Sequence, residues 1–258
     1  MHMREWMGLI RSFVVYWRPG RQRSLRRLYS TWVGEGDLVF DVGAHLGDRS
    51  HAFAGLGARV IALEPQPRVA RWLRYLVGRN EKITVRTEAV GAVPGTERLS
   101  ISSRSPTLST LSTSWREKIV ATNATFESVE WEGVIDVAVV TLDELIETYG
   151  RPDFCKIDVE GYEPEVLTGL SYPIAALSFE FVSGDHARAT ACLGRLQVLG
   201  SYEFNVICGE GRELEFVTWR TPDDIRRWMR TGAGGASSGD VYARLLSAPP
   251  LGETSDGG

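Results

Sequence analysis

Leu38-Val39-Phe40-Asp41-Val42-Gly43-Ala44-His45-Leu46-Gly47-Asp48 is the stretch on which the fold turns. A short apolar run, Leu38–Val42, leads into Gly43, and helical character follows over residues 45–56. Glycine lets the backbone turn tightly between the two. A strand that bends into a helix in this way is a nucleotide-binding turn in general form. Ordinary loops between strands and helices use glycine too, so the glycines alone leave the matter even. The next acid tips it. Arg59–Leu63 reads as a second strand that ends at Glu64-Pro65, 23 positions after Asp41. A carboxylate at that place can accept both hydroxyls of a ribose.

Two cofactor classes use such a pair of acids. A dinucleotide needs Gly-x-Gly-x-x-Gly to bring its pyrophosphate close to the backbone. Here the spacing is Gly43-x-x-x-Gly47, with Asp41 in the bend. A carboxylate there repels a pyrophosphate and suits a cationic amino-acid group. S-adenosylmethionine carries an ammonium, a sulfonium and a ribose, and no phosphate. The residues favour it over NAD.

Outward from this turn the chain alternates strands and helices. A helix over residues 67–78 and a strand at Ile83–Thr87 complete a βαβαβ texture, which indicates a parallel sheet covered on both faces. Further strands are read at 153–158, 176–181 and 202–208, with helices at 142–149, 163–170, 186–199 and 222–230. Residues 213–219 read as an extra short strand, 232–239 as a flexible linker, and 240–246 as the seventh strand. The fold class is therefore α/β, a doubly wound and mostly parallel seven-stranded sheet. Residues 98–140 have a different texture, β-prone pieces around a Ser/Thr-rich polar loop at 102–114 that is either a mobile lid or plain surface.

The division expected is a helical segment over 1–35, a catalytic domain over 36–247 and a disordered tail over 248–258. The net charge of −4 is split: residues 1–36 contribute +5 and the remainder −9. Such a chain is not built for nucleic acid. The basic opening segment spaces Trp6, Leu9, Ile10, Phe13, Val14 and Trp17 at helical intervals. That pattern fits a cap on the domain, or a membrane-surface or partner-binding helix. Three scattered cysteines, the lack of a signal-peptide pattern and the lack of an apolar run of roughly 18 residues point to a reduced, cytoplasmic protein.

Phe40–Gly47, Leu63-Glu64-Pro65, Lys156-Ile157-Asp158-Val159-Glu160-Gly161-Tyr162-Glu163, Val166–Leu170 and Phe179-Glu180-Phe181 occur in order and at typical separations. The set resembles the FkbM-type methyltransferases over roughly residues 36–246. The resemblance implies a class I, S-adenosylmethionine-dependent fold with methylation of hydroxyl oxygens, often on sugars or polyketide-type natural products. It places Asp41, Gly43, Ala44 and Gly47 at the methionine end of the donor and Glu64 at the ribose. Glu88 would partner the adenine amine beside Ala89, and Ser109 in the polar loop would lie near the donor. His45 stands where the family often has a small polar residue.

Methyl transfer from a sulfonium is a direct displacement, so alignment of oxygen, methyl and sulfur supplies much of the rate. An alcohol must also lose its proton, to a base or beside a metal. The acids expected beyond the strand ends are Asp158, Glu160 and Glu180, and a charge inside the apolar run Phe179–Phe181 is costly unless paired. Lys156 offers that pairing. Three such carboxylates also suit Mg²⁺, with Asp158 and Glu180 as ligands. His186 is the best-placed histidine for a base, with His45 and His51 near the donor turn. Trp115 and Trp131 suit either a sugar face or the core. The acceptor expected is a hydroxyl of a small molecule or glycan. An NAD-linked oxidoreductase and a non-catalytic donor-binding module remain the alternatives.

Overall fold

The computed structural model describes residues 13–102, 108–122 and 129–247. The expected N-terminal helix before residue 13, the middle of the polar loop and the expected disordered tail lie outside them. Helix α1 (Arg21–Tyr29) leads to β1 (Leu38–Val42), α2 (Asp48–Ala54), β2 (Arg59–Leu63), α3 (Pro67–Val77) and β3 (Ile83–Arg86). The interposed region holds β4 (Ala89–Val90), β5 (Gly95–Ile101), α4 (Thr113–Thr122) and β6 (Gly133–Val140). Then come α5 (Leu142–Tyr149), β7 (Phe154–Ile157), α6 (Glu163–Thr168), β8 (Ala176–Val182), α7 (His186–Leu199), β9 (Ser201–Cys208), α8 (Pro222–Arg230) and β10 (Ser238–Ser247).

The main sheet has the order β3-β2-β1-β7-β8-β10-β9. β1 pairs in parallel with both β2 and β7, whereas β10 runs antiparallel between β8 and β9. Chain order therefore reverses at β1, and the carboxyl ends of β1 and β7 part there to leave a crevice. All five β1 residues are buried, as befits a parallel strand covered on both faces. Phe40, Ile157, Leu177 and Phe179 fill one layer; Val39, Phe53, Val60 and Phe154 fill the other. A separate three-stranded sheet, β4-β6-β5, stands beside the main one.

Helix α1 packs Tyr29 on Phe53 and Phe154, with ring centroids 4.5 and 5.9 Å apart, so the N-terminal segment shares the core. Capping boxes start α5 and α8: Thr141 with Glu144, and Thr221 with Asp224. Three expectations fail. Residues 213–219 form no strand; Asn205 holds the Phe216 backbone and a lone bridge joins Phe204 to Arg220. Residues 232–239 are ordered packing, not a linker. Ala233 is fully buried, and a Cβ on Gly239 would stand 2.3 Å from the Ile207 carbonyl oxygen, so glycine serves close strand approach. The polar loop ends in a helix, α4, whose first turn is held by Ser112 Oγ accepting from the Trp115 amide at 3.1 Å.

Candidate active site

The turn after β1 is shaped by contact with the turn after β7. Gly43 has φ 80°, and a Cβ there would lie 1.8 Å from the Asp158 carbonyl oxygen. Gly47 also has positive φ, but its open side faces Leu73 and Val77 of α3. It makes the turn possible and does not line the crevice, which corrects its expected place. The crevice opens to solvent, and its empty space together with that opening is about 810 Å³.

Asp41 ends up beside the crevice because β1 pairs it with Lys156 of β7. Its Oδ2 accepts the Ser50 hydroxyl at 2.5 Å, while its Oδ1 is buried without a partner. Burial raises its pKa against the pull of Lys156. Glu64, at the end of β2, accepts the His45 amide on Oε2 at 3.0 Å and the Gln66 amide on Oε1 at 2.9 Å. Burial still pushes its pKa up to about 7. Ala44, Ala89, Val90, Leu99, Ser109 and Leu111 supply the neighbouring wall.

Glu88 is elsewhere. Arg86 grips its carboxylate and lowers its pKa, the Thr87 amide adds a bond at 2.9 Å, and the side chain does not line the crevice. The arginine two residues earlier on the same edge offers it a nearer partner than a ligand would. His186 does not reach the crevice either. It opens α7 with its ring 6.4 Å from Phe181, and burial lowers its pKa. His51 tilts against Trp17 instead. Trp115 is core: it is 1% exposed, lies under Gly161 and meets Trp131 edge-on at 6.4 Å.

The three expected acids do converge. One carboxylate oxygen each from Asp158, Glu160 and Glu180 lie within 4.8 Å of one another. Lys156, 1% exposed, donates to Asp158 Oδ2 at 2.6 Å and holds that carboxyl below its usual range. Glu160 has φ 55° and its carbonyl accepts the Thr110 hydroxyl at 2.7 Å. Such strain in a non-glycine residue is held by its surroundings. Burial, then the neighbouring acids, push Glu160 and Glu180 well above the ordinary carboxyl value. Glu180 Oε2 has no partner. Carboxylates this close do not all ionise, so the cluster either stores a proton or gathers around a cation.

Among the crevice residues to which the sequence reading gave no site role are Tyr16, Arg49, Gln66 and Tyr162. Tyr16 comes from the N-terminal segment, its ring edge-on to His45 at 5.3 Å. Nothing local in the sequence marks it. Arg49 follows the glycine turn directly, and a cation at that place was the one available signal.

A switch-point crevice walled by Asp41 and Glu64, on a sheet whose one antiparallel strand lies next to the edge, is the arrangement of a class I, S-adenosylmethionine-dependent methyltransferase. The chain belongs to the FkbM methyltransferase family: residues 41–231 match the methyltransferase FkbM domain. Hexuronic acid methyltransferase AglP of Haloferax volcanii is 30% identical over 183 residues, covering 67% of each chain. Looser likenesses among solved structures include Aeropyrum pernix fibrillarin with bound S-adenosyl-L-methionine (TM-score 0.46, 10% identity, 86% of this chain and 76% of that one). Another is the Bacillus cereus O-methyltransferase in complex with SAH (TM-score 0.44, 15% identity, 88% and 81%). The dinucleotide alternative falls with the family assignment.

Proposed function

We propose that this enzyme transfers the donor methyl group to an oxygen of a sugar or glycan, with residues 36–247 as the catalytic domain. The observation that carries the reading is the convergence of Asp158 and Glu160, which line the donor crevice, with Glu180, which lies behind them outside its lining. The relative that acts on a hexuronic acid supports a sugar acceptor. Asp41 and the glycine turn hold the amino-acid end of the donor, Glu64 the ribose, and Ala89 and Val90 the adenine face. Ser109 closes the side wall.

With the donor bound, the acceptor hydroxyl would attack the sulfonium methyl in line, its proton passing to the carboxylate cluster as the C–O bond forms and the C–S bond breaks to release SAH. Asp158, ionised by Lys156, is the member ready to accept that proton. The cluster's donor set also fits Mg²⁺: Asp158, Glu160 and Glu180 would hold it, and the ion would polarise the acceptor oxygen.

The test is methyl transfer to neutral and uronic sugars, followed as a gain of one methyl group by mass spectrometry, with and without a chelator. An alkali-stable product methyl supports the hydroxyl as acceptor; an alkali-labile one means the carboxylate is methylated. Loss of turnover with chelator, restored by Mg²⁺, selects the metal reading. Asp158→Asn should lower kcat by about 100-fold or more while leaving SAH affinity within a few-fold. No methylation of any sugar tested, with SAH binding intact, would leave only a donor-binding module.

A further inference from the structure

The guanidinium of Arg49 is oddly placed for a structural cation. Its side chain is 15% exposed and it lines the crevice, yet Nε has no partner. Nη1 stands 3.7 Å from Asp48 Oδ1 and Nη2 stands 4.0 Å from Glu210 Oε1, both beyond hydrogen-bonding reach. The neighbouring Arg21 takes the better lone pairs of those same acids, at 2.7 Å to Asp48 Oδ2 and 3.0 Å to Glu210 Oε2. A buried Nε donor without a partner is costly, and the planar guanidinium matches a carboxylate. Lys156, the other cation on the crevice wall, is committed to Asp158, and burial holds His45 neutral.

We infer that Arg49 is the seat of the α-carboxylate of the methyl donor, bound through the open face of its guanidinium. The inference rests on the donor reading above. The amino-acid end of S-adenosylmethionine carries both signs of charge. Asp41, with its free Oδ1, serves the ammonium, and Arg49 serves the carboxylate across the same turn. The site thereby requires an amino acid at that end of the ligand and discriminates against adenosine compounds that lack one. The guanidinium would also accept the carboxylate of a uronic acid acceptor, and the experiment separates the two sources.

The full chain is titrated calorimetrically with SAH, with SAH lacking its α-carboxylate, and with glucuronate. Wild type should bind SAH about 10- to 100-fold more tightly than the decarboxylated compound, the range for hydrogen bonds to a charged group. Arg49→Gln should lose that preference, by weakening SAH and leaving the decarboxylated compound unchanged. Arg49→Lys should recover part of it. Equal affinity of wild type for the two ligands overturns the inference without any variant, so a variant that fails to unfold cooperatively does not stall the test. A preference retained in Arg49→Gln overturns it, as does normal SAH binding in that variant with loss of glucuronate binding alone. If wild type binds neither adenosine compound, the donor reading itself fails and takes this inference with it.

Discussion

The ribose role proposed for Glu64 requires an ionised carboxylate, and Glu64 stands where ionisation is costly. Its pKa of about 7 in the folded chain lies above the ordinary 4.5, because burial outweighs the two backbone amides that donate to it. Between those values the folded state holds a proton that the unfolded state releases. Glu64 therefore contributes stability below about pH 4.5, and that contribution is lost as pH rises through 7. Ligand hydroxyls donate to the ionised form, so binding should release a proton in the same window. SAH affinity should rise, by up to about tenfold per pH unit, from pH 5.5 towards 7 and then level off. Calorimetry in buffers of different ionisation enthalpy reads both effects. Glu64→Gln should flatten the pH profile, and Glu64→Ala should cost roughly 1–3 kcal/mol of affinity. Glu64's place on the crevice wall was legible in the sequence because the acid closes an apolar strand. Glu88 looked equivalent, but its competitor Arg86 is a neighbour whose side-chain direction the spacing does not fix.

Helices and strands with strong local patterns were read almost to the residue, α5, α7 and α8 among them. Each carries its own start signal or a long apolar face. Helix α4 was missed because only Trp115 and Ile119 are buried along it, too sparse a stripe to show a period. Residues 213–219 alternate like a strand, yet the chain passes the edge of β9 with a single bridge. Whether such a run pairs depends on what lies beside it. The turns are where two elements fix each other. Gly43 has both a positive φ and the Asp158 carbonyl pressed against its missing side chain. Gly43→Ala should destabilise the chain by at least about 2 kcal/mol in urea unfolding, the sum of backbone strain and overpacking. It should also abolish SAH binding, because the β1 and β7 turns must separate to admit the methyl. An unchanged urea midpoint would show that the two turns are not in contact.

Across the whole molecule, the site draws on residues as far apart as Tyr16 and Tyr162, and that gathering is tertiary. The acid cluster was foreseeable from strand ends; the N-terminal wall was not. Residues 13–17 present two faces. Tyr16 lies on His45, and Trp17 donates to the Leu46 carbonyl at 3.3 Å and tilts over His51, so the inward face braces the donor turn. Phe13, Val14 and Val15 are 44%, 64% and 40% exposed on the outward face, next to the basic run that includes Arg18. That outward face fits the peripheral contact with an anionic membrane that the charge pattern suggests. Removal of residues 1–20 leaves Arg21, Leu25 and Tyr29 in the core, so the shortened chain should still unfold cooperatively. Losing some tens of Å² of aromatic wall at about 25 cal/mol per Å² should weaken SAH binding by roughly 1 kcal/mol, about fivefold. Co-sedimentation with anionic vesicles should fall in the same variant. Intact SAH affinity would remove Tyr16 from the donor wall, and unchanged vesicle recovery would remove the membrane from the outward face. Because the two faces share one short segment, vesicles should also change the SAH affinity of the full chain and leave that of the shortened chain alone.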